Sequence, residues 1–185
     1  MHLSFRKNII FAKKNTIRYN TMETYTCKLN TLSKTITIAT LCAVAAIPIF
    51  SMGKLPPKQL LLLILLIAAL FGMAYLLRPY QYLLDHEKLV IHKQLLPKTI
   101  LFKDIAQIEP VDYKDLGIKF RMWGSGGLWG WYGIFYSFEK GKIILQIGNK
   151  EALMMITTHQ GQKIVLSPTE IQEFSKSLKQ KLQKR

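Results

Sequence analysis

The residues most able to do chemistry lie between Lys119 and Gly133, where glycines interleave with aromatic rings: Arg121-Met122-Trp123-Gly124-Ser125-Gly126-Gly127-Leu128-Trp129-Gly130-Trp131-Tyr132-Gly133. A glycine-rich run can fold its backbone N–H groups around a phosphate, but this one lacks the Gly-Lys-Ser/Thr ending of a P-loop. Trp129 stands where the third glycine of a dinucleotide fingerprint opening Gly124-x-Gly126 would be. Ser125 is not a nucleophile elbow, because Trp123 occupies the position two residues before it where that turn needs glycine. His86, His92 and His159 have no ligand partner close in sequence, and no Cys or carboxylate cluster has metal spacing, so neither metal nor cofactor is expected. Glu109, Asp112 and Asp115 lie near Lys114 and Lys119 and read as a solvated loop rather than an acid/base pair. The expectation is a protein that does no chemistry.

The same stretch does offer a contact surface. Trp123, Leu128 and Trp129, with Gly124, Ser125, Gly126 and Gly127 between them and Lys119 and Arg121 beside them, are the predicted binding residues. Indole rings suit headgroup depth and the cations suit phosphates. The rings of Trp131 to Phe138 alternate as in a strand and are expected in the core, with the glycines making a wide hairpin or bulges. Nucleic acid is not an expected partner, because no sustained basic stripe accompanies the aromatics.

What must position this stretch is set by two apolar runs, Leu32 to Phe50 and Leu60 to Leu77, joined by a short polar connection. Each approaches the roughly 20 residues needed to cross a hydrocarbon core. Neither contains an internal charge that would mark an ion path, apart from Lys34 at the edge of the first. The net charge of +15 is unevenly placed. Residues 1–34 hold Arg6, Lys7, Lys13, Lys14, Arg18, Lys28 and Lys34 against Glu23 alone, while the connection holds only Lys54 and Lys58. The positive-inside rule then predicts a two-span protein of the cytoplasmic membrane with both termini in the cytoplasm. Cys27 and Cys42 cannot hold a disulfide framework in the remaining domain, which fits a reducing compartment. Residues 1–31 read as a disordered basic arm, with Met22 as an alternative start, residues 32–78 as a helical hairpin and residues 79–185 as one globular domain.

Within that domain, short segments rich in β-branched and aromatic residues recur from Tyr80 to Leu166, separated by turn clusters such as Glu139-Lys140-Gly141 and Gln160-Gly161-Gln162. This predicts an antiparallel meander. Ser167-Pro168-Thr169-Glu170 then signals a helix start, and Ile171, Phe174, Leu178 and Leu182 make one apolar stripe along a closing amphipathic helix.

Seven or more strands and one C-terminal helix is the element order of a pleckstrin-homology-like (PH-like) domain. Tyr82-Leu83-Leu84-Asp85 through Leu89-Val90-Ile91, the glycine-aromatic run, and Ile164-Val165-Leu166-Ser167-Pro168 resemble bacterial PH-domain membrane proteins, in which one or two spans precede the domain. The resemblance implies an α+β chain: a transmembrane hairpin, then a PH-like antiparallel β-sandwich or barrel with one helix. It implies a platform for lipid headgroups, a protein partner or a second copy, and carries over no catalytic residue. At the turn where lipid-binding PH domains bear a basic motif, this chain has Asp85-His86-Glu87-Lys88. Two function classes follow: a membrane-tethered interaction module, or an accessory subunit of a transport or secretion complex whose spans carry the function.

Overall fold

The computed structural model describes residues 22–183; the predicted arm over residues 1–21 lies outside the described residues. Asn30 caps the first helix, its side-chain oxygen accepting the Ser33 N–H at 3.0 Å, and α1 runs Thr31–Ser51. Pro57 opens α2 (Pro57–Leu77) at a position where a missing N–H costs nothing. Each helix has 21 residues and is long and apolar enough to cross a membrane. The hydroxyls of Thr35, Thr40 and Ser51 fold back onto carbonyls of their own helix, which satisfies them without water. No residue of α2 is buried, and in α1 only Ser33 and Thr37 are. Among the described residues nothing covers α2, although it is apolar on every side.

The segment before α1 departs from expectation. Rather than continuing as a disordered arm to residue 31, Glu23–Thr26 form β1, paired antiparallel with β2 (Pro79–Leu84) in a register that sets Tyr25 opposite Tyr82. The reason is burial: Tyr25 and Cys27 enter the core, and Thr26 accepts the Thr169 N–H at 3.0 Å. Four residues in a polar stretch are too few to display a period, so only the paired edge of β2 reveals them.

Two sheets make a β-sandwich. The first has order β1-β2-β3-β4, with β3 Lys88–Lys93 and β4 Lys98–Leu101. The second has order β5-β9-β10-β8-β7-β6, built from β5 Ile105–Val111, β6 Ile118–Gly127, β7 Gly130–Ser137, β8 Gly141–Ile147, β9 Leu153–Thr158 and β10 Lys163–Leu166. It is not a pure meander, because β10 lies antiparallel to β9 but parallel to β8. After β8 the chain steps past one strand position, and the β9–β10 hairpin returns to fill it. Alternation marks each strand but says nothing of its neighbour, so this insertion is invisible in sequence.

The main core lies between the sheets, with Tyr82, Leu84, Leu89, Ile91, Ile156, Ile164 and Leu166 all fully buried. α3 (Ile171–Gln183) closes it: Phe174 and Leu178 are fully buried while Ile171 and Leu182 pack at the margin, the predicted stripe. A second cluster of Trp131, Phe135, Leu145, Ile147, Met155 and Val165 lies on the opposite face of the second sheet, and Ile36 of α1 packs against it. That contact is the first sign that the helical hairpin and the sandwich share an interface.

At the centre of the sandwich Tyr82 ties three segments together. Its O–H donates to the Gln146 carbonyl at 2.6 Å, its oxygen accepts the Ser167 N–H at 3.1 Å, and Cys27 Sγ lies 3.0 Å away. Burial pushes both the Tyr82 phenol and the Cys27 thiol upward, so both stay protonated and serve as packing and hydrogen-bonding groups.

Candidate functional site

The glycine-aromatic run is a hairpin ladder rather than a loop. β6 and β7 pair from Ile118 opposite Ser137 to Gly127 opposite Gly130, leaving only Leu128 and Trp129 as the turn. Gly124 faces Gly133 across this ladder, at φ of 110° and 120°, and each holds the other's segment so close that a Cβ on either would strike backbone atoms. The close approach is what glycine supplies here. Ser125 is buried and donates its hydroxyl proton to the Leu128 carbonyl, which makes it a clamp on the turn.

The hairpin tip seats against the feet of α1 and α2. A Cβ on Gly127 would lie 3.2 Å from Ile36, so the backbone itself packs on that side chain. The Trp129 N–H donates to Thr37 Oγ1 at 3.0 Å, and the indole meets the Tyr75 ring edge-on with centroids 5.2 Å apart. Arg78, the residue that ends α2, lies 4.4 Å from the Tyr75 centroid and 5.7 Å from that of Trp129. Tyr132 donates its phenol proton to the Ala74 carbonyl in the last turn of α2, and its burial pushes that phenol's pKa upward. Trp129 adopts φ 58°, a left-handed conformation that costs a bulky residue on the order of 1 kcal/mol or more. These contacts offset that cost.

The predicted contact surface therefore divides. Leu128 and Trp129 are half-buried, Trp129 turned inward onto the helices, and Ser125 and Gly127 are buried with them. Lys119, Arg121 and Trp123 stay exposed, as does Gly126 against the Arg121 guanidinium, while Gly124 is half-buried in the ladder. Phe120 and Met122, which sequence reasoning passed over, are exposed at 50% and 59%, beside Trp123 at 59%. Strict alternation would hide every second one of these side chains. Register shifts leave Lys119 and Met122 without a partner in the ladder, while Phe120 and Arg121 are consecutive in register and point to opposite faces; both are exposed, so both faces of the strand are open from Lys119 to Trp123. Among the described residues β6 is also the last strand of its sheet, with no strand paired to its outer row of backbone groups. Phe120 stacks on Tyr136, whose ring meets Phe138 edge-on, and Phe138 is 73% exposed. In β7, Trp131 and Phe135 are buried on one face as alternation predicts; Tyr132, on the other face, is buried with its phenol on α2, whereas Tyr136 is half-buried and Phe138, expected in the core, is exposed.

The described polar groups of this strip include the Lys119 and Arg121 cations, the clamped Ser125 hydroxyl and the Tyr136 phenol. Among the described residues no group of three or more His, Cys, Asp or Glu could hold a metal ion. A hollow of about 570 Å³ is lined by Pro110 and Met154 and, from α3, by Ile171, Ser175, Lys176 and Lys179.

No curated protein and no solved structure matches the chain. A family model described as the bacterial PH domain matches residues 80–182, from the start of β2 to the end of α3, which is more than half of the chain. A two-sheet sandwich closed by one C-terminal helix is what that match requires, and on both grounds the chain belongs to the bacterial PH domain family.

Proposed function

We propose that this is an integral protein of the cytoplasmic membrane, anchored by α1 and α2 with both termini in the cytoplasm. Its PH domain, residues 79–185 completed by β1, is an interaction module that does no chemistry. The cation excess before α1 supports that orientation. The observation that carries the binding reading is the exposed edge of β6, where five consecutive side chains from Lys119 to Trp123 face solvent beside unpaired backbone. An edge strand with exposed aromatics and two cations suits an extended protein segment bearing acidic and apolar residues, added as a further strand. Anionic headgroups would use Lys119, Arg121 and Trp123 as well, and a second copy of the chain could pair edge to edge.

Site-specific photo-cross-linkers at Phe120 and at Lys119 of the full chain in its native membrane test this. The reading requires a discrete protein adduct that disappears with Trp123→Ala. Adducts with lipid alone would assign the strip to headgroups, and an adduct of twice the chain's mass would assign it to self-association. Exchanging residues 41–51 and 57–71 for unrelated apolar helix, with Ser33, Ile36, Thr37, Ala74 and Tyr75 kept on the domain, must leave the protein adduct intact; its loss would favour the accessory-subunit reading, in which the spans themselves carry the function.

A further inference from the structure

The turn between β3 and β4, Gln94-Leu95-Leu96-Pro97, is held by more than its own strands. The Leu95 N–H donates to the Leu76 carbonyl at 2.9 Å, inside the last turn of α2. The turn thus sits at the foot of an apolar helix, yet it presents two leucines outward, Leu95 at 38% and Leu96 at 68% exposure. Leu96 does so at φ 57°, where glycine or asparagine would be the undemanding choice for a turn in water. Cations flank it. Arg78 follows α2 directly, and Lys93 pairs with Pro79 in the β2–β3 ladder. Neither Arg78 nor Lys93 forms an ion pair among the described residues, and Arg78 Nε is buried with no acceptor.

Apolar side chains outermost with cations behind them, at the end of a hydrophobic helix, follow the order of groups across a lipid interface, acyl boundary first and phosphates next. We propose that this turn is a second membrane attachment. Leu95 and Leu96 enter the headgroup–acyl boundary of the bilayer that α1 and α2 cross, and Arg78 and Lys93 face its lipid phosphates. The inference rests on the reading of the hairpin as a membrane anchor and goes beyond it, because a domain held at the turn as well as through its helices has a set tilt against the bilayer. The surface is separate from the Asp85-His86-Glu87-Lys88 turn, which lies at the other end of the β2–β3 hairpin and carries two acids.

The test is probe depth in the full chain. With Cys27→Ser and Cys42→Ala as background, single cysteines introduced by Leu96→Cys, Glu87→Cys and Leu66→Cys are labelled with an environment-sensitive fluorophore. The protein is reconstituted in phosphatidylcholine/phosphatidylglycerol vesicles, and variants are used only where the melting profile matches the parent. Position 96 is expected to be quenched several-fold more by nitroxide-bearing lipids than position 87 and to be shielded from aqueous iodide. If position 96 matches position 87 while position 66 is quenched by lipid, the turn faces water and the inference is overturned with the anchor intact. If position 66 is also open to iodide, the membrane reading of the hairpin fails and the turn's attachment fails with it.

Discussion

The Thr37 hydroxyl, in the second turn of α1, accepts the Trp129 N–H at 3.0 Å while donating its own proton to the Ser33 carbonyl at 2.8 Å. One side chain of an apolar helix thereby holds the tip of a hairpin 92 residues further along the chain. Ser33 repeats the device, its hydroxyl reaching the Gly148 carbonyl at 3.0 Å. The PH domain is therefore built onto its helices and not strung from them.

Thr37→Val keeps the shape but leaves the Trp129 N–H without its acceptor. Burying an unpaired donor costs about 1–3 kcal/mol. Thermal melting of the full chain in detergent should show that loss, with Thr37→Ser close to the parent. An unchanged midpoint for Thr37→Val would mean that the N–H finds another acceptor.

The facing glycines allow a sharp comparison. Gly133→Ala puts a methyl into the Trp123 carbonyl at a left-handed φ, and should cost roughly 2 kcal/mol or more. In Gly126→Ala the new methyl meets only the Arg121 guanidinium, 3.1 Å away at the end of a flexible side chain, so the change should stay within about 0.5 kcal/mol. Denaturant midpoints of the two variants decide it; equal effects would refute the assigned register.

Removal of residues 1–30 should destabilise the sandwich by about 3 kcal/mol or more, the scale of two buried side chains, because Tyr25 and Cys27 leave the core. The bared edge of β2 should also promote association. A chain starting at Met22, which keeps β1, is the reference. Melting and size-exclusion chromatography of both truncations check this, and equal stability of the two would make β1 dispensable.

Acid should loosen the contact between β1 and α3. Burial acts to raise the Glu23 pKa, but hydrogen bonds with Ser177 and Tyr25 and the Lys181 ammonium at 3.4 Å outweigh it and hold it below the ordinary value. A carboxylate lowered on folding adds stability above its unfolded pKa, and that stability is lost as pH falls through the folded one. Melting points followed from neutral pH down to about pH 3 should fall less in Glu23→Gln than in the parent. The difference should be small, because Glu23 is 43% exposed and solvent screens it.

Alanine at Phe120 and Trp123 together should leave the unfolding free energy within about 0.5 kcal/mol of the parent's by denaturant titration, since both rings lie outside the two cores. A large loss would assign these rings to stability instead of contact.

Much of this architecture is written in local chemistry. The two apolar helices follow from the length of their uncharged runs, most strands from turn clusters at short intervals, and α3 from the stripe Ile171, Phe174, Leu178, Leu182. Each of these signals is complete within a few turns or one strand, so no distant residue is needed to read it. The proposed contact strip is legible in the sequence only as a neighbourhood.

Tertiary structure alone decided the rest. β1 exists because β2 offers an edge and the core has room for Tyr25. β8 lies parallel to β10 because a later hairpin fills the gap that the chain had passed over. Trp129 turns inward because Thr37 and Tyr75 wait at the feet of the helices, and Phe120 and Met122 stay exposed because β6 is the last strand of its sheet and neither face is covered at this point. In each case the outcome depends on a partner far away in sequence, and the pattern of a segment specifies its own shape without naming what will lie against it.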